Sequence, residues 1–414
     1  MSIDQRPAGQ RDAARATAVV ERLLAATASR DDDVDAVIDD LGAVEVADVV
    51  VAELLFRACV EDLVPAAGDD GAAVTVVFSH RGRDITTFLA VTSGGVRVVP
   101  GELGAPYEES LSPSLTQELS ETVRALYGPL ADVSATTRRI RWPGPEVVFP
   151  TPQRPSLPTV FYAVVQRLVQ VLDRREPSDL TELAVRYGTD KWGAMHQYPR
   201  RYETHFGPLR DRRLRILEIG VGGFDDPAKG GGSLRMWKRY FPRALVHGLD
   251  ILDKSPLAEP RMTIVRGDQS DTDDLDEVVR RHGPFDIVID DGSHRPEHVL
   301  ASFNALFPHV KPDGLYVIED LMACYWPVPF GGSDTDLSDP GFTVGFLKSL
   351  LDGLHHEEFL RPDARAALPT DALISAVHVY HNLAVIEKGP NADGSLVASL
   401  LRAERAAGPK ADPA

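Results

Sequence analysis

Residues 285–294 read FDIVIDDGSH and residues 315–320 read LYVIED, and the reading of these two segments decides the fold. Phe285 to Ile289 and Leu315 to Ile318 are short apolar runs rich in β-branched residues, the composition of strands buried on both faces of a parallel sheet. Between them, residues 298–310 place Val299, Leu300, Phe303, Leu306, Phe307 and Val310 at a helical period, which Lys311-Pro312-Asp313-Gly314 stops. The pattern predicts one βαβ unit, and open α/β sheets carry function at the carboxyl ends of their strands. Both strands end in acidic residues at that edge. With neighbouring strands roughly 5 Å apart, Asp291, Glu319 and Asp320 converge on one hard cation. His294 lies about one helical turn past Asp291, which would aim both side chains into one cavity. Asp290 points the opposite way and is read as support for the cofactor pocket or the fold. Paired carboxylates are more often a solvated loop; acids at two successive strand ends argue against that here.

Upstream, residues 214–219 form a third buried run that delivers Glu218-Ile219-Gly220-Val221-Gly222-Gly223. Such glycines let backbone turn sharply and approach a ligand. The loop lacks G-x-G-x-x-G, and its acid, Glu218, lies inside the strand, a pattern suited to S-adenosylmethionine rather than to a pyrophosphate. Ser233 opens the next helix. The strand at residues 244–249 ends at Asp250, placed to accept both ribose hydroxyls, and the strand at 263–266 ends at Gly267-Asp268-Gln269, where Asp268 faces an adenine amino group. Ahead of the sheet, Gly188-Thr189-Asp190-Lys191, close to His196, Tyr198, Tyr202 and His205, reads either as a lid over the cofactor or as a surface turn. After Asp320, Tyr325 and Trp326 offer flat apolar faces to a substrate.

The chain has 414 residues, 43% apolar, and a net charge of −18, which argues against nucleic acid and anionic membrane as partners. Two cysteines, Cys59 and Cys324, exclude a disulfide framework and fit a reducing, cytoplasmic setting. No run approaches the roughly 20 apolar residues of a membrane span. The domain expectation is an accessory α+β unit at 1–145, a Pro-rich linker and connecting helix at 146–178, and a catalytic domain at 179–414. Within the first unit, residues to about Arg15 read as disordered, 46–60 as a helix, 74–99 as a hairpin or meander, and 115–127 as mainly helical. Residues 160–173 form a strongly apolar helix, and 376–387 read as one long strand closing the sheet.

The ordered motifs ILEIGVGG, GLDI, RGDQSD, VIDDGSH and GLYVIEDL, within residues 180–390, resemble the family of O-methyltransferases that act on deoxysugars of macrolides and other polyketides. The resemblance implies a Rossmann-like class I S-adenosylmethionine-dependent methyltransferase domain behind an N-terminal oligomerising domain, in a homo-oligomer, specifically a tetramer. It implies Mg²⁺ on Asp291, Glu319 and Asp320 and His294 as the base. It also places the Gly188–Lys191 loop with Thr189 and Lys191, and the stretch from Glu218 through Gly220 to Gly222, around the cofactor. Ser233, Asp250, Asp268, Gln269 and Asp290 complete the expected cofactor pocket, with Tyr325 and Trp326 toward substrate. The expected reaction is methylation of a deoxysugar hydroxyl, such as a rhamnose or 6-deoxyhexose 2-OH, on a glycosylated polyketide antibiotic. A catechol-like diol acceptor and a non-catalytic cofactor-binding assembly protein are the rival readings.

Overall fold

The computed structural model describes residues 8–63, 72–92, 95–99, 112–143, 160–175, 179–361 and 365–407. Most of the Pro-rich stretch read as a linker lies outside them. The first sheet contains β1 (Ala72–His80), β2 (Arg83–Thr92), β3 (Gly95–Val99), β4 (Ser114–Glu118) and β5 (Arg139–Arg141), in the order β3-β2-β1-β4-β5. The meander expected at 74–99 is there as the antiparallel β1, β2 and β3. Residues 115–127 divide differently from expectation: Ser114–Glu118 is a strand, and the helix runs only over Leu119–Tyr127. The open edge of β1 explains this, because parallel pairing of Leu115 with Val76 offers ladder hydrogen bonds that outweigh local helix preference. The N-terminal helix starts at Ala8, inside the segment expected to be disordered; Arg15 forks onto both carboxylate oxygens of Glu45 at 2.5 and 2.6 Å, and Ala13 is buried.

Helix Val160–Leu172, expected as a connector, shares the first core. Its Val164, Leu168 and Val171 are buried with Leu23, Val50, Leu54, Val76, Leu89 and Leu126. The second sheet holds β6 (Arg215–Ile219), β7 (Leu245–Asp250), β8 (Met262–Arg266), β9 (Phe285–Asp290), β10 (Val310–Glu319), β11 (Ile374–Tyr380) and β12 (Leu383–Lys388), in the order β11-β12-β10-β9-β6-β7-β8. The strands from β10 to β8 are parallel. Alternation along each buried strand feeds two cores. Ile216, Ile287 and Val317 face helices Leu180–Tyr187, Pro199–Phe206 and Gly232–Tyr240; Leu217, Val288 and Ile318 face Thr272–His282, Pro296–Leu306 and Thr343–Leu354. This is the Rossmann-like α/β sheet expected.

The segment at 376–387 is two strands rather than one. Asn382 at φ 61° takes the left-handed conformation that turns the chain, and β11 pairs back on β12. In the central unit the helix begins two residues before His298, at Pro296, whose fixed φ suits a first helical position. The two domains are joined by a buried charge network in which Glu53 accepts from Arg57 at 2.6 Å and from Arg261 at 2.5 and 3.1 Å. Arg57 also donates to the carbonyl of Pro242 at 2.8 Å. No helix among the described residues is long and apolar enough to cross a membrane.

Candidate active site

Parallel pairing of Ile318 with Asp290 sets Glu319 beside Asp291 at the carboxyl edge of β9 and β10. The chain leaves β10 through Asp320 at φ 54° and returns after β9 through His294 at φ 57°, both left-handed. Residues 291–295 are irregular, with a bend at Gly292, and not the first turn of a helix. The convergence of Asp291 and His294 therefore comes from this kink and not from helical spacing, and it costs of order 1–3 kcal/mol per strained residue. His294 Nε2 lies 3.5 Å from Asp320 Oδ2, and ligand atoms of Asp291, His294 and Asp320 fall within 4.8 Å of one another. A second, deeper group shares Asp291: Glu218, Asp291 and Glu319.

Lys191 is the largest departure from the sequence reading. Its ammonium is fully buried inside the deeper acid group, 3.1 Å from Glu218, 2.8 Å from Asp291 and 2.6 Å from Glu319. The loop that carries it walls the site and is not a solvated surface turn at Lys191. Burial alone would lower the Lys191 pKa, but Asp291, Glu319 and Glu218 hold it well above the usual lysine value. Burial, then the Asp291 charge, pushes Glu319 well above the carboxylate range, and burial raises Glu218 to about 7. Glu218, Asp291 and Glu319, with Asp320 in the adjoining group, set four carboxyl groups around a single ammonium. Oxygen donors of this kind suit a hard divalent cation, so the donor set fits Mg²⁺. Glu218 belongs to this cluster and not to the glycine loop; its other contacts are the Ser233 hydroxyl and the Trp237 indole N–H at 3.1 Å.

Sequence reasoning did not assign Tyr198 and Tyr202 to the acids. Tyr198 is the N-cap of helix Pro199–Phe206 and Tyr202 lies one turn further along it. Tyr202 donates its hydroxyl to Glu319, and Tyr198 donates to Asp320 Oδ1 at 2.7 Å, with His196 stacked on Tyr198 and 3.5 Å from the same oxygen. The crowding of tyrosines and histidines at 196–205 was the available signal.

At the glycine loop, Gly220 (φ 92°) is forced: a Cβ there would stand 2.1 Å from the Asp291 carbonyl oxygen. The Gly230–Gly232 insertion folds back onto the loop, with Gly231 N–H donating to the Val221 carbonyl at 2.7 Å, and it leads into the helix of Ser233. Thr189 packs against Gly232. Asp250 holds the loop by accepting the Val221 and Leu252 N–H groups at 2.9 Å each. Asp268 accepts the Ser270 N–H and hydroxyl, which lower its carboxyl pKa. Gln269 is a buried strut, its carbonyl accepting the Ser293 N–H at 2.6 Å and its amide donating to Asp290 at 3.1 Å. Asp290 also accepts from Ser302, and burial raises its carboxyl to about 6. Of the two roles expected for Asp290, this geometry serves the fold. Tyr325 and Trp326 are half-exposed; Trp326 packs against Phe330, whose ring meets His294 at 6.0 Å.

A Rossmann-like sheet with a glycine loop after β6, acids ending β7 and β8, and a carboxylate–histidine cluster ending β9 and β10 defines a class I methyltransferase. The sequence matches the MycE methyltransferase N-terminal family over residues 20–138 and a methyltransferase domain family over residues 230–321. It is 50% identical over 280 residues, 67% of this chain and 71% of the relative, to 8-demethyl-8-alpha-L-rhamnosyl tetracenomycin-C 2'-O-methyltransferase of Streptomyces olivaceus. It is 41% identical over 351 residues, 84% and 85% of the two chains, to mycinamicin VI 2''-O-methyltransferase of Micromonospora griseorubida. A solved MycE methyltransferase from the mycinamycin biosynthetic pathway, in complex with Mg, SAH and mycinamycin VI, superposes with a TM-score of 0.78 at 35% identity, covering 94% of this chain and 99% of that one. The protein belongs to this family of O-methyltransferases and is an enzyme, not a non-catalytic assembly subunit.

Proposed function

We propose that the enzyme transfers the methyl group of S-adenosylmethionine to the 2-hydroxyl of a 6-deoxyhexose, such as a rhamnose, on a glycosylated polyketide, with Mg²⁺ in the acid cluster. The observation that carries this reading is the convergence of Asp291, Asp320 and His294 beside Glu319. The 2'-O and 2''-O activities of the two relatives support the position. Asp291, Glu319 and Asp320 would hold Mg²⁺, which when bound supplies Lewis acidity toward a sugar hydroxyl. His294 Nε2 takes the hydroxyl proton, and Asp320 beside it stabilises the imidazolium. Tyr198 and Tyr202 fix the orientation of Asp320 and Glu319. Gly220 to Gly222, Thr189, Ser233, Asp250 and Asp268 border the cofactor, with Asp250 keeping lone pairs for ribose hydroxyls. Tyr325 and Trp326 receive the sugar or macrolide face. Aligning acceptor oxygen, methyl carbon and sulfur is a positioning effect. The accessory domain, matched by the family's N-terminal model, supports a homo-oligomer, a tetramer by the same resemblance.

The test is to incubate purified protein with S-adenosylmethionine, Mg²⁺ and a panel of glycosylated polyketides, their aglycones and a catechol, and to locate the methyl group by NMR. Methylation of a sugar 2-OH that chelator abolishes is expected. Methylation at the 3-OH would overturn the position, and turnover of the catechol alone would overturn the acceptor class.

A further inference from the structure

A second group of ligating side chains, none of them given a catalytic role above, meets toward the outer edge of the sheet. Helix Pro199–Phe206 brings His205, the edge strand β11 brings His378, and β12 brings Glu387. Pairing of His378 with Val385 makes Glu387 its diagonal neighbour on the same face of the hairpin. His378 Nε2 lies 2.9 Å from Glu387 Oε1, His205 Nδ1 lies 3.8 Å from the same oxygen, and one ligand atom from each residue falls within 4.8 Å of the others. Ligand atoms around a tetrahedral cation with bonds near 2.0 Å stand roughly 3.3 Å apart; the two distances to Glu387 straddle that value.

We propose that His205, His378 and Glu387 form a binding site for a transition-metal divalent cation, with Zn²⁺ the best match. Two imidazoles and one carboxylate are a zinc donor set, whereas Mg²⁺ takes oxygen donors. Tyr380, two residues along β11 from His378, sits 2.9 Å from His205 Nε2. Donation of the Nε2 proton to the Tyr380 hydroxyl leaves the Nδ1 lone pair facing Glu387, the outer-shell contact that fixes the tautomer of a ligating histidine. Arg201 lies over the ring of that tyrosine, 4.9 Å from its centre. The His205 side chain is 6% exposed while those of His378 and Glu387 are 38% exposed, so the cation enters from solvent and a fourth ligand position faces water.

The site has a structural consequence. The helix that supplies His205 also supplies Tyr202, and Tyr198 at its start donates to the carbonyl of Asn382 in the turn between β11 and β12 at 3.2 Å. A cation at this position clamps the helix that orients Glu319 and Asp320 to the edge hairpin. It holds whether or not the proposed acceptor is correct.

The experiment uses the full chain, stripped with chelator and then saturated with Mg²⁺ so that the acid cluster is occupied. Zn²⁺ is titrated calorimetrically, Tm is followed, and Co²⁺ is used in parallel as an absorption probe. One Zn²⁺ per chain, a raised Tm and the visible bands of tetrahedral Co²⁺ are expected. His378→Ala and Glu387→Gln, both at half-exposed edge positions, should abolish all three while keeping the circular dichroism of the parent, and Asp291→Asn should keep all three. Zn²⁺ binding unchanged in His378→Ala, or lost in Asp291→Asn, overturns the proposal.

Discussion

Lys191 Nζ lies 2.6 Å from Glu319 Oε1, and it shares that carboxylate with the hydroxyl of Tyr202. The ammonium therefore serves as a fixed positive charge within acids that also invite a divalent cation. Lys191→Met leaves Glu218, Asp291 and Glu319 without a counter-charge. Breaking a buried pair of this kind costs about 3–5 kcal/mol, so the metal-free variant should melt well below the parent. Mg²⁺ should raise its Tm by more than it raises the parent's, because added cation then neutralises more charge. Equal Mg²⁺-induced shifts in thermal melts of the two proteins would show that the ammonium and the cation do not share these acids.

His294 occupies a left-handed position that asparagine also accepts. His294→Asn should therefore keep the turn and the Tm while kcat falls on the order of 10²- to 10⁴-fold, the usual worth of a general base. Affinity for S-adenosylmethionine should be unchanged, and raising the pH should recover part of the rate. A parent-like kcat would remove His294 from proton transfer.

Gly220 and Gly222 offer a paired comparison. Both have positive φ, 92° and 75°, but only Gly220 would drive a Cβ into backbone, the Asp291 carbonyl oxygen at 2.1 Å; nothing lies within 4 Å of a Cβ on Gly222. Gly222→Ala should cost about 1–2 kcal/mol, the left-handed penalty alone. Gly220→Ala should cost clearly more in urea denaturation and should weaken Mg²⁺ and cofactor binding together, since it displaces Asp291 and the glycine loop at once. Similar losses in the two variants would contradict the close approach of the loop to Asp291.

His247 in β7 is buried with neither ring nitrogen hydrogen-bonded among the described residues, and its ring lies 4.5 Å from that of His282. Burial, then the neighbouring His282, holds the His247 pKa well below the usual histidine value. Burial, then Arg281 and Arg215, lowers His282 to about 4. The unfolded chain takes up these protons near pH 6.5 and the folded chain resists them. Their contribution to stability is thus complete above about pH 6.5 and is lost as pH falls toward 4, by up to about 1.4 kcal/mol per pH unit for each proton. Glu218 and Asp290, with raised carboxyl pKa values, act in the opposite direction, so the comparison is with His247→Met. That variant should show a shallower loss of denaturation free energy between pH 7 and 5; an unchanged slope would exclude the buried pair as its source.

The sequence by itself pointed to the parallel sheet, because Phe285–Ile289, Leu315–Ile318 and Leu214–Ile219 are short, largely apolar runs of the length and β-branched content that doubly covered strands carry. It also determined which acids stand at the carboxyl edge, since a strand end is fixed by local pattern. What lay beyond it were contacts between segments far apart in the chain. The ammonium of Lys191 enters a cluster whose acids come 27, 100 and 128 residues later, at Glu218, Asp291 and Glu319, and no local period encodes such a meeting. The pairing of Leu115 with β1 and the turn at Asn382 were likewise decided by an available strand edge and one left-handed residue. Local preference is worth tenths of a kcal/mol per residue, and it yields wherever long-range pairing satisfies more backbone groups or buries more charge against a partner.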